Sequence, residues 1–152
     1  MYKLLPLLLL TSCAYLNNQP GVQSPTDIYC GSANNLKVYI RFGNDDLLTC
    51  QQAMKSTLES NSRLVTVVGG GLNPGWSIIF TNGFPGVTLN RNNDWVPTIG
   101  TTYPDTHVIS VRASRPEALY HELLHAYELD RGISDGHRDW CKKYGECGYY
   151  GE

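Results

Sequence analysis

The pentapeptide His121-Glu122-Leu123-Leu124-His125 constrains this chain more than any other segment. Residues four apart lie one above the other on a helix, so both imidazoles fall on one face with the Glu122 carboxylate beside them. Two imidazoles and a carboxylate grouped in this way are what a zinc hydrolase needs around its ion. With only 4 His in the chain, the pattern arises by accident in fewer than about 1% of shuffled chains. The remaining alternative is a solvated helix face that happens to carry these groups, and the flanking residues argue against it.

Ser114 followed by Glu117 reads as a capping box, with Pro116 in the first turn, so a helix is expected to start there. Leu119, Tyr120, Leu123, Leu124, Ala126 and Tyr127 make most of its other faces apolar, and Gly132 offers a stop. Such a helix packs inside a domain. A carboxylate buried there without compensation costs several kcal/mol, so His121, Glu122 and His125 need partners. Upstream, His107-Val108-Ile109-Ser110-Val111 alternates as a strand leading into the helix.

A catalytic zinc has three protein ligands and one open position, so a third ligand is required. Glu128 stands where the longer His-Glu-x-x-His-x-x-Gly-x-x-His pattern needs glycine, which excludes the metzincin arrangement. The candidates are His137, Asp135, Asp130, Glu128 and Glu146, of which His137 is preferred. Ser134-Asp135-Gly136 can cap a second helix running to about Tyr144, with Gly145 as its stop, and His137 would point back from its first turn. His107, at a strand start, reads as a solvated residue.

Together, His121-Glu-Leu-Leu-His125-Ala126, Asp135-Gly136-His137 and Trp140-Cys141-Lys142-Lys143 resemble the SprT-like (Spartan-type) zinc peptidases over about residues 107 to 145. The connection to His137 is shorter than in that family, and Arg138 replaces its usual glycine. The first half is equally similar to other small zincin families, including secreted bacterial effector proteases. The resemblance implies zinc on His121, His125 and His137, one ion per chain, with Glu122 as the general base.

The chemistry expected of such a site is peptide hydrolysis. Zinc brings the pKa of its water to about 7, and Glu122 takes the proton and passes it to the leaving amine. Tyr127 or Tyr144 is a candidate donor to the oxyanion, and Asp130 or Asp135 a candidate for orienting an imidazole.

Lys3 followed by the apolar run Leu4 to Leu10 is too short to span a bilayer and reads as a signal peptide over residues 1–12. Leu10-Thr11-Ser12-Cys13 resembles the bacterial lipobox, which implies lipid on Cys13 and a membrane anchor in the cell envelope, periplasmic or at the cell surface. Four cysteines then remain, an even number in an exported chain. Two disulfides are expected, preferably Cys30 with Cys50 and Cys141 with Cys147. Zinc ligation by Cys141 and Cys147 is disfavoured, because a cysteine-rich closed site leaves no open position.

Cleavage before Cys13 removes Lys3 and leaves 11 basic against 14 acidic residues. No basic stripe with interleaved aromatics occurs, so nucleic acid is excluded as a partner and peptides or proteins are the expected substrates.

Residues 13–35 read as a polar tether after the lipidated cysteine, and a domain over 36–152 as a single α+β unit. Lys37 to Phe42 alternates as a strand, and Asp45 to Ser60 suits a helix started by Asp45 or Asp46. Arg63 to Val68 and Trp76 to Phe80 read as strands, Gly69-Gly70-Gly71 as a loop, and Asn90 to Thr106 as a long loop framing the cleft. The expected architecture is zincin-like, a small twisted sheet packed on the motif helix, with a following helix carrying the third ligand. Two functions fit this reading: a lipid-anchored zinc metallopeptidase, or a non-catalytic zinc-containing binding lipoprotein of the envelope.

Overall fold

The computed structural model describes residues 19–41, 48–133 and 136–147. The signal peptide, the lipobox with Cys13, Asp45, Asp46, Ser134 and Asp135 lie outside the described residues. Five strands form the main sheet: β1 (Ile28–Ala33), β2 (Leu36–Arg41), β3 (Ser77–Thr81), β6 (Gly100–Tyr103) and β7 (Val108–Arg112). Their order is β1-β2-β3-β7-β6, with β2, β3 and β7 parallel and the outer strands antiparallel to their neighbours. A separate hairpin joins β4 (Val87–Leu89) to β5 (Trp95–Pro97). The helices are α1 (Cys50–Val68), α2 (Leu119–Asp130) and α3 (Trp140–Tyr144). The chain is α+β, and among the described residues no helix is long and apolar enough to cross a membrane.

Register explains the core. Val38, Ile78 and Ile109 lie side by side across three strands, as do Ile40, Phe80 and Val111, and all six are buried. Alternation puts both rows on one face of the sheet. That face is covered by α1 and α2, which contribute Ala53, Leu64, Leu119, Leu123 and Leu124 to the same cluster. α1 lies against β1 and β2, whereas α2 runs beside β6 and β7, so the motif helix sits next to an edge strand.

Several expectations need correction. Arg63 to Val68 is not a strand but the last turns of α1, which also begins later than Asp45. A capping box at Thr49 and Gln52 starts the helix, and Gly69, at φ 75°, ends it. Ala53, Thr57, Asn61 and Leu64 form its buried stripe at helical spacing, and that packing overrides the strand preference of Val65, Thr66, Val67 and Val68.

The polar tether is not one beyond Gln19. Asp27 is buried in a two-pronged ion pair, Arg41 Nε to Oδ1 and Nη2 to Oδ2, both at 2.8 Å. Arg41 also donates to the carbonyls of Gln19 and Val22. Polar residues before β1 are therefore held by one guanidinium, and the fold begins well before Leu36.

Asn90 to Thr106 holds β5 and β6 rather than a loop alone. Gly100-Thr101-Thr102-Tyr103 lacks apolar alternation because β6 is an edge strand facing a polar site. Ser114 does not cap the motif helix. Glu117 pairs with Arg115 instead, and a 3-10 turn over Pro116–Ala118 with no side-chain cap leads into α2.

Both disulfides form as paired in the sequence reading. Cys30–Cys50 ties β1 to the start of α1, and Cys141–Cys147 closes a loop around the end of α3.

Candidate metal centre

His121 and His125 lie one turn apart on α2, on a helix whose Leu119, Leu123, Leu124 and Ala126 are fully buried. His137 reaches them from outside α2. It sits in a turn three residues before α3, not in the first turn of that helix as expected, because Asp139 takes a left-handed conformation (φ 58°) just ahead of Trp140. The approach of its ring to His121 and His125 survives this change. His137 Nε2 lies 3.2 Å from His121 Nε2 and 3.0 Å from His125 Nε2.

Three ring nitrogens converging on one point cannot all satisfy each other as donors and acceptors. Their spacing fits a shared ion: ligand nitrogens at about 2.0–2.1 Å from a tetrahedral zinc stand about 3.3 Å from one another. Among the described residues, this trio is the group of His, Cys, Asp and Glu that could hold a metal. The imidazoles are also kept in the neutral form a ligand requires. Burial pushes His121 down to about 3 and His125 down to about 4, helped by the neighbouring rings, and burial lowers His137 as well.

Trp140 forms the floor of the cluster. Its ring centroid lies 5.1, 4.7 and 4.5 Å from those of His121, His125 and His137. The indole is fixed in turn, because Nε1 donates to Glu128 Oε1 at 3.1 Å, an oxygen that also accepts from the Tyr144 hydroxyl at 3.0 Å. Glu128 thus ties α3 to α2.

Glu122 is buried on the β6 side of the centre, at 6% exposure. Thr102 Oγ1 donates to its Oε2 at 2.8 Å and also meets its backbone carbonyl. Burial raises the carboxyl to about 7, against the lowering effect of the Thr102 hydrogen bond. Gly100 makes this approach feasible: a Cβ there would stand 2.7 Å from Glu122 Cγ. Thr102 and Gly100 were missed from sequence. Their only local signal is a glycine and β-formers inside a polar stretch.

A cleft of about 480 Å³ opens over Glu122, His125 and His137, walled by β6, by Val87 on the hairpin and by Leu129 and Ile133 beyond the motif. The other candidates lie elsewhere. Asp130 accepts from Asn73 N at 2.7 Å and Trp76 Nε1 at 3.0 Å, so it holds the loop before β3 rather than an imidazole. Tyr144 is committed to Glu128, and the Tyr127 ring carries the Arg131 guanidinium 3.7 Å above it. Glu146 is not grouped with the three ring nitrogens but lies 3.5 Å from the other edge of His121, at Nδ1. His107 is exposed and outside the cluster, as expected.

Comparison of the chain with protein-family models, with curated proteins and with solved structures finds no match, so the reading of this centre rests on its own chemistry.

Proposed function

We propose that this chain is a zinc metallopeptidase of the zincin type, exported and lipid-anchored through Cys13, that acts on peptides or proteins outside the cytoplasm. One observation carries the reading: three imidazole nitrogens converge on one point, and the buried Glu122 carboxylate next to His121 on the motif helix opens with His125 and His137 onto one cleft. A structural zinc site needs no carboxylate next to its ligands and no cleft above it.

His121, His125 and His137 would hold the ion through Nε2. Zinc bound there supplies Lewis acidity, which polarises a carbonyl and acidifies water. Glu122 takes up a proton from the attacking water and returns it to the leaving amine. Its carboxyl is suited to both steps, since a pKa of about 7 without a cation nearby falls under the influence of one. Thr102 fixes one carboxylate oxygen, so the other groups of the cleft meet a side chain in one orientation. Val87, Leu129 and Ile133 offer apolar surface along the cleft against which a substrate side chain could pack.

The test is cleavage of a diverse peptide library by the zinc-loaded chain, followed by mass spectrometry. Cleavage is expected to stop when a chelator removes the ion and to return on adding zinc. A chain that takes up one zinc and cleaves nothing is a zinc-containing binding lipoprotein instead. Lipid on Cys13 has its own check: an acyl label that persists in Cys13→Ser removes that assignment.

A further inference from the structure

The back of the metal centre is built as deliberately as its front. His121 turns Nε2 toward the other two imidazoles and Nδ1 toward Glu146, whose Oε1 lies 3.5 Å away. The Glu146 side chain is only 10% exposed. It comes from the seven-residue loop that Cys141–Cys147 closes, with Cα atoms 4.4 Å apart. Gly145 N donates to Cys141 O at 3.1 Å within that loop, and Glu146 N donates to the preceding Trp140 O at 3.3 Å.

The loop is also pinned from outside. Arg63 on α1 brings Nη2 to 3.7 Å from Glu146 Oε2 and 3.4 Å from the Gly145 carbonyl. Its guanidinium lies 3.7 Å over the Tyr120 ring, and the Tyr120 hydroxyl donates to Tyr144 O at 2.8 Å. Bridge, guanidinium and tyrosine thus converge on one short loop, and the group they deliver to His121 is a carboxylate. A histidine that ligates through one nitrogen is oriented by an acceptor on the other, which fixes its tautomer and strengthens it as a ligand.

We propose that Glu146 is a positioning residue for the metal, acting through His121 Nδ1, and that the Cys141–Cys147 bridge holds it there, so that zinc affinity depends on the bridge. This rests on the metal-centre reading but not on peptide hydrolysis. Neither cysteine touches the ion: the bridge acts by keeping a carboxylate in place.

Zinc affinity is measured on the full chain by competition with a chromophoric chelator, alongside the thermal midpoint of the metal-free protein. Glu146→Ala is expected to bind zinc about 10- to 100-fold more weakly with its metal-free midpoint little changed. Glu146→Gln, which keeps a polar oxygen facing Nδ1 within reach of its proton, recovers most of the affinity. The Cys141→Ala/Cys147→Ala double variant shows a similar loss, and adding Glu146→Ala to it costs little more, because both changes remove one interaction. Alanines are used rather than reduction, since free thiolates would themselves bind zinc.

Wild-type affinity in Glu146→Ala overturns the proposal. So does a glutamine variant as weak as alanine with a lowered metal-free midpoint, which marks a purely structural role. Losses that multiply in the triple variant overturn the role of the bridge. If the cysteine variants do not fold, the alanine and glutamine pair decides the role of Glu146, and wild-type affinity in a reduced chain with its thiols alkylated overturns that of the bridge. A wild-type chain that takes up no zinc removes the metal-centre reading itself, a different outcome.

Discussion

Glu122→Gln is expected to keep full zinc content and to lose peptide cleavage by about 10³-fold or more, equivalent to about 4 kcal/mol in the barrier. Glutamine has the size and shape of glutamate, so the space left by Gly100 still accommodates it. Its amide oxygen can still accept the Thr102 hydroxyl. What it cannot do is take up a proton and return it. Burial raises the Glu122 carboxyl and a bound cation would lower it, and a carboxyl held between these two effects can do both in one turnover. Zinc content by atomic emission and kcat/KM on the best library peptide check this. Cleavage within tenfold of wild type at equal zinc content removes Glu122 as the base.

His137→Ala is expected to weaken zinc binding by about 10³-fold or more, because two imidazoles and solvent replace a site of three protein ligands. The fold should survive. His137 is partly exposed and lies in a turn, and its ring meets Trp140, which Glu128 continues to hold. Far-UV circular dichroism of the metal-free variant should therefore match wild type while zinc titration does not. Retained affinity would make a carboxylate such as Glu128 the third ligand. That outcome would break the indole clamp seen here, so it would also demand a rearranged α3.

The parts of this centre legible in the sequence are those set by short spacings. His121 and His125 declare themselves through one helical turn, and the bridge between Cys141 and Cys147 spans only six positions. His137 is legible too, although Ser134-Asp135-Gly136 suggests a helix start where the chain makes a turn. Elements fixed by distant partners were not legible. Arg63 to Val68 looks like a strand until Leu64 is seen to continue the buried stripe of Ala53, Thr57 and Asn61. The segment around Asp27 looks like a tether because its anchor, Arg41, lies fourteen residues away. β6 shows no apolar alternation, since one of its tasks is to bring Thr102 and Gly100 against Glu122. Glu146 is the extreme case: its place behind His121 requires a disulfide, a guanidinium from α1 and a turn at Gly145 all at once.

The proposed centre is a single zinc held by three imidazoles with a position left open. X-ray absorption at the zinc edge of the reconstituted full chain tests it most directly. One zinc per chain is expected, with four nitrogen or oxygen neighbours at about 2.0 Å and the multiple-scattering pattern of three imidazoles. A sulfur neighbour at about 2.3 Å, or fewer than three imidazoles around the ion, would contradict it.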